Sequence, residues 1–95
     1  MKAFAYIVRC ADDTLYTGYT TDIKHRLAAH NSGKASKYTR GRTPVELVYL
    51  EECDDKNAAM SREWHIKRLT RAKKLLLIAK WEKARGADGE HSKRG

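Results

Sequence analysis

The N-terminal run Ala3-Phe4-Ala5-Tyr6-Ile7-Val8-Arg9-Cys10 fits an extended backbone, whose side chains alternate between two faces. Phe4, Tyr6 and Val8 would point one way, and Ala5, Ile7 and Arg9 the other. Both sets are largely apolar, which predicts a central strand covered on two sides. Ala11-Asp12-Asp13 reads as a turn, and residues 14–19 as a returning strand. Gly18 then breaks the run. Thr20, Thr21 and Asp22 offer side-chain oxygens suited to capping a helix. The helical period predicts a helix from about residue 22 to 32, with Ile23, Leu27 and His30 on its buried face. Arg26 falls at the edge of that face, one turn before His30. Gly33 is the expected stop.

The next stretch, residues 33–44, has no apolar period and reads as a loop closed by Pro44. Val45 to Leu50 is the predicted third strand. Asp54 or Asp55 can cap a second helix reaching Leu69, with Ala59, Met60, Trp64, Ile66 and Leu69 as its apolar arc. Thr70 is placed to cap a third helix running to about Ala84. The order is β-β-α-β-α-α. It predicts a small α/β domain over residues 1–84, with a three-stranded, mainly antiparallel sheet flanked by helices. Residues 85–95 lack a core position and are expected to be a disordered basic tail.

A chain of 95 residues suits one domain with a modest core. The longest apolar run, Leu75 to Ala79, is far too short to span a bilayer. Cys10 and Cys53 form no C-x-x-C pair and no secretory leader precedes them, so a reduced cytoplasmic location is expected. His25, His30, His65 and the two cysteines lack the compact spacing of a zinc site.

Charge changes the picture most. Lys and Arg number 20 against 12 Asp and Glu, for a net charge of +8. The excess is segregated. Residues 34–44 hold Lys34, Lys37, Arg40 and Arg42 with no acid, and the third helix opens on Arg71, Lys73 and Lys74. A one-sided basic surface favours a polyanion, because each phosphate contact releases counterions. The alternative is a solubilising face or one that meets acidic proteins.

Two positions sit oddly in their patterns. Arg26 and His30 present a cation and an imidazole beside a buried stripe; an amphipathic helix with a solvated Arg and a hydrogen-bonded core His would look the same. Glu63 falls inside the apolar arc of the second helix, where an ionised carboxylate is costly unless it is paired or binds a metal. Lys67, four residues on, can pair with it in the favourable order. One carboxylate could equally hold a divalent ion whose remaining ligands are water and phosphate.

Phe4-Ala5-Tyr6 and Tyr16-Thr17-Gly18 resemble the two halves of the GIY-YIG endonuclease signature, with the tyrosines ten residues apart. Arg26 matches the family's catalytic arginine, and His30 a histidine found one turn later in several members. Glu63, in Arg-Glu-Trp, matches the metal-binding glutamate. The resemblance spans roughly residues 3–80 and is nearest to the small stand-alone bacterial members. Ala5 and Thr17 depart from the signature, and Tyr19 stands where the excision-repair members carry a lysine. The asparagine that often follows the glutamate has no equivalent.

The resemblance implies metal-assisted hydrolysis of DNA phosphodiesters, in repair or recombination, with Mg²⁺ or Mn²⁺ on Glu63. Arg26 would bind a phosphate oxygen, Tyr6 would act as the base with Tyr16 positioning, and His30 would help supply the cationic surroundings a phenol needs. Gly18 would let the backbone approach a phosphate. Lys34, Lys37, Arg40, Arg42, Lys67, Arg71, Lys73 and Lys74 would meet the nucleic acid. The chain is expected to be a monomer, with a repair protein as a further partner. Two other readings remain open: a nucleic-acid-binding module without turnover, and an adaptor that docks through Trp64 or Trp81.

Overall fold

The computed structural model describes residues 1–89. Its elements are β1 (Ala3–Arg9), β2 (Leu15–Thr20), α1 (Ile23–Asn31), β3 (Glu46–Cys53), α2 (Lys56–Lys67) and α3 (Arg71–Gly89). The order is the expected one. The three strands form one antiparallel sheet in the order β2-β1-β3, which makes β1 central.

Both faces of β1 are covered, as its two apolar sets require. On one face Tyr6 and Val8 pack with Ile23 and Leu27 of α1 and with Leu47 and Leu50 of β3. On the other, Ala5 and Ile7 meet Val48, Ile66 of α2 and Ile78 of α3. Ile66 is fully buried. Truncating such a residue to Ala typically costs about 2–5 kcal/mol, so it is a principal anchor of α2.

The local signals hold where they depend on one side chain. Asp22 caps α1 by accepting from the His25 amide at 3.0 Å, and Asp55 caps α2 by accepting from Ala58 at 2.8 Å. The Thr70 hydroxyl accepts from the Lys73 amide at 3.2 Å. Gly33 ends the first helical segment at φ +79°, a conformation that costs glycine least.

Three expectations need correction. β3 runs to Cys53, because Glu51, Glu52 and Cys53 pair with Ala5, Phe4 and Ala3 despite their polar reading. α3 continues to Gly89, past the boundary placed at residue 84, so residues 85–89 are helical; residues 90–95 of the expected tail lie outside the described residues. The packing face of α2 is rotated from the apolar arc. Met60 and Trp64 are 40% and 55% exposed, while Ala59 and Ile66 carry the burial. Glu63 shares the face of Ala59 and Ile66, at helical spacing i, i+4 and i+7. The rotation turns its carboxylate inward.

Candidate active site

Tyr6 and Gly18 are direct partners across the β1–β2 pair. The Tyr6 ring leans over Gly18 so closely that a Cβ there would meet the Tyr6 hydroxyl oxygen at 2.6 Å. Gly18 therefore makes room for a phenol, not only for a ligand's backbone approach. Tyr6 is almost wholly buried, and its hydroxyl lies 2.8 Å from His30 Nε2. The strand thus delivers the phenol to the far end of α1.

His30 is likewise buried, as its place on the Ile23–Leu27 stripe predicts. The rings of Tyr6 and Tyr16 meet it edge-on at centroid distances of 5.8 and 5.2 Å. Its Nδ1 lies 2.9 Å from the hydroxyl of Thr39, a loop residue that is itself fully buried. Burial, with the Arg26 charge adding to it, holds the imidazole below its ordinary pKa. This direction favours the neutral, hydrogen-bonding imidazole over the cation expected beside the phenol. Burial pushes the Tyr6 phenol well above its ordinary value; Tyr16 and Glu63 push the same way, and Arg26 opposes them.

An open cleft of about 390 Å³ collects the remaining groups. β1 and β2 supply Tyr6, Tyr16, Gly18 and Tyr19, and α1 supplies Arg26. Glu63 enters from α2, with Lys56 in the first turn of the same helix. The Glu63 side chain is only 18% exposed and pairs with Lys67 at 3.0 Å. So the intrahelical pair is formed, and the same carboxylate faces the cleft.

Among the described residues no cluster of three or more His, Cys, Asp or Glu could cage a metal. The donor set is one carboxylate with phenol hydroxyls nearby. That chemistry suits Mg²⁺, which keeps several waters and is often held by one or two carboxylates plus substrate phosphate oxygens. It does not suit an all-protein site.

The expected phosphate-binding residues divide into four groups. Lys34, Lys37 and Arg40 are exposed on the loop between α1 and β3. That loop is tied to the site twice, through Thr39 on His30 and through Tyr38, whose ring lies 5.7 Å from that of Tyr16. Arg42 and Arg71 are held back by acids of the β1–β2 turn. Arg42 reaches Asp12 at 3.2 Å and lies over the Tyr38 ring, and Arg71 reaches Asp13 at 3.4 Å. Lys67 is occupied by Glu63. Arg71, Lys73 and Lys74 do not line the cleft.

Sequence reasoning passed over Lys56, Tyr38 and Thr39. Lys56 is the one base among residues 45–61, which carry five acids, and it follows the Asp55 cap at the exposed start of α2. Thr39 lay in a loop without periodicity, and nothing local marked it as buried.

The model of the GIY-YIG catalytic domain matches residues 2–75. A UPF0213 protein of Natronomonas pharaonis is 59% identical over 76 residues, covering 80% of this chain and 89% of that protein. A UPF0213 protein of Streptococcus pyogenes is also 59% identical, over 83 residues, covering 86% of this chain and 90% of the relative. Among solved structures, the solution NMR structure of a UPF0213 protein from Bacillus halodurans is similar at 46% identity and TM-score 0.54, covering 83% of this chain and 84% of that one. The solution NMR structure of the protein EF2693 from E. faecalis is similar at 33% identity and TM-score 0.58, covering 86% of this chain and 88% of that one. Proteins with this domain are usually nucleases and generally use divalent metal ions. The match spans every element from β1 to the first turn of α3, including the whole cleft, and the chain belongs to the GIY-YIG catalytic domain family.

Proposed function

We propose that this protein is a metal-dependent endonuclease that hydrolyses DNA phosphodiester bonds, in DNA repair or recombination. The observation that carries the reading is convergence. Tyr6, Tyr16, Arg26 and Glu63 come from four separate elements and line one cleft. A hydrolase of this kind needs a proton acceptor, a charge donor for the phosphate and an acid for a metal, and Tyr6, Arg26 and Glu63 would fill these roles.

Arg26 would grip a nonbridging phosphate oxygen, since its guanidinium stays charged and can bond at two points. Lys56 adds a second cation to the cleft. Glu63 would hold Mg²⁺ or Mn²⁺, exchanging its Lys67 partner for the ion; when bound, the ion supplies positive charge to the phosphate and the leaving oxygen. Tyr6 would take the proton of the attacking water. It is a phenol in the resting site, so it must pass its own proton on as it accepts another. His30 Nε2, at 2.8 Å, is the group within reach to receive it. Tyr16 would orient the water and shield the imidazole from solvent.

The second reading, a DNA-binding module without turnover, is favoured by the Glu63–Lys67 pair, which leaves the carboxylate neutralised. A cleavage screen separates the two. The purified protein is offered duplex, single-stranded, flapped and branched DNA with Mg²⁺ or Mn²⁺. Cleavage that needs the metal and is lost in Tyr6→Phe supports the hydrolase. Salt-sensitive binding to every substrate with no cleavage supports the module.

A further inference from the structure

The candidate relay does not end at His30. Its Nδ1 lies 2.9 Å from Thr39 Oγ1, and Thr39 Oγ1 lies 3.3 Å from the carbonyl oxygen of Ser36. Thr39 and His30 are both buried, 0% and 1% exposed, and so is Tyr6 at the other end. Three hydrogen bonds therefore follow one another, from the phenol at the cleft through two buried side chains to a backbone carbonyl of the loop.

A hydroxyl has one proton to give and lone pairs with which to accept. The Ser36 carbonyl, which also accepts from the Arg40 amide at 3.1 Å, can only accept, and the Thr39 hydroxyl can turn its proton there at 3.3 Å. Thr39 Oγ1 is then left to accept from His30, which puts the imidazole proton on Nδ1. His30 Nε2 keeps its lone pair and accepts from the Tyr6 hydroxyl at 2.8 Å. We propose that Thr39 is a positioning residue: its buried hydroxyl fixes His30 as the Nδ1–H tautomer and so makes Nε2 the acceptor for the Tyr6 proton.

The direction matters chemically. With Nε2 as acceptor, the phenol hydrogen points away from the cleft and the phenol oxygen offers a lone pair towards it. A water proton can bond to Tyr6 Oη while the original Tyr6 proton moves to Nε2. The products are hydroxide, an intact phenol and an imidazolium whose Nδ1–H still rests on Thr39, so charge and protons balance. In the other tautomer Nε2–H would donate to the phenol, the phenol hydrogen would face the cleft, and His30 could not take the Tyr6 proton. The groups that face His30 are Tyr6 from β1, Tyr16 from β2 and Arg26 from its own helix. None of these accepts a proton from Nδ1; Thr39 is the partner on that side. The same logic fixes the ring nitrogens of many metal-bound and catalytic histidines.

The tautomer role stands on the hydrogen bonds alone, whereas its catalytic consequence rests on the hydrolase reading. The test keeps them apart. The imidazole nitrogens of the full-length protein are observed by ¹⁵N NMR at pH 7.5, with His30 identified by the signals lost in His30→Gln. Wild type should show a protonated Nδ1 and an unprotonated Nε2, and Thr39→Ser, which keeps the hydroxyl, should match it. Thr39→Val should move the proton towards Nε2. Cleavage by Thr39→Val should fall about 10–100-fold, the range for groups that orient a functional imidazole, and recover in Thr39→Ser. A wild-type imidazole protonated at Nε2 overturns the proposal, even if Thr39→Val does not fold. So does an unchanged tautomer in a folded Thr39→Val. If the tautomer follows Thr39 and wild type cleaves nothing, the positioning role stands and the hydrolase reading fails.

Discussion

A methyl group added to Gly18 would meet the Tyr6 hydroxyl at 2.6 Å, far inside van der Waals contact. The nearest ring carbon is at 2.7 Å, so the phenol must swing away or the strands must part. Gly18→Ala should therefore break the Tyr6–His30 hydrogen bond. The expected result is loss of cleavage together with a destabilisation of about 1–3 kcal/mol, the range for overpacking a closed core. Urea unfolding and a cleavage assay on the same sample check it. A fully active, equally stable Gly18→Ala would mean that Tyr6 does not sit where the site requires.

Thr17 stands where the family signature has isoleucine. Its hydroxyl is buried and finds no hydrogen-bond partner among the described residues. A buried hydroxyl left unpaired costs about 1–3 kcal/mol, and replacing it by an apolar group of similar shape removes that cost. Thr17→Val should raise the unfolding free energy by about 1 kcal/mol without altering cleavage. A drop in stability would show that the hydroxyl has a partner, such as a buried water.

His30 makes stability depend on pH in a defined direction. Burial and Arg26 hold its folded pKa below the ordinary value of about 6.5. The unfolded chain therefore binds the proton more readily in the window just below that value. The stabilisation from the neutral imidazole is complete above about pH 6.5 and is lost as pH falls through the folded pKa. The urea midpoint of wild type should decline between pH 7.5 and 5.5, and the decline should be shallower in His30→Gln. Parallel curves for the two proteins would place the imidazole in a more solvated setting.

The basic loop sorts its cations by whether they are already engaged. Lys34, Lys37 and Arg40 are exposed, whereas Arg42 is committed to Asp12 and Tyr38. Replacing the first three together by Gln should flatten the dependence of log K on log salt by up to about three units for duplex DNA. Arg42→Gln should change the slope by less than one. Titrations at several salt concentrations measure both, and an unchanged slope in the triple variant would remove the loop from the binding surface.

What the sequence disclosed follows from the range of each signal. Asp22, Asp55 and Gly33 act on neighbours within a few residues, so their effects were readable in place. The double apolar pattern of β1 announced a central strand for the same reason. The rotation of α2 was not readable. Met60 and Trp64 are apolar at helical spacing, and only the sheet decides that Ala59 and Ile66 face it instead. The ordered set Tyr6, Tyr16, Arg26, His30 and Glu63 could be recognised as a family pattern, but the geometry it makes could not. Tyr6 and His30 meet across 24 residues, and Thr39 reaches them from a loop whose burial has no local cause.

The most direct test of the central claim is single-turnover cleavage of a DNA substrate by wild type, Glu63→Gln and Arg26→Ala, with affinity measured in parallel. Arg26 should bind the phosphate more tightly as charge develops in the transition state. Arg26→Ala should lower the rate about a hundredfold or more while weakening ground-state binding only as the loss of one phosphate contact would. Glu63→Gln should cleave nothing at Mg²⁺ or Mn²⁺ concentrations that saturate wild type, while remaining folded. Wild-type protein that binds DNA with normal salt dependence but leaves every phosphodiester intact with either metal would contradict the account.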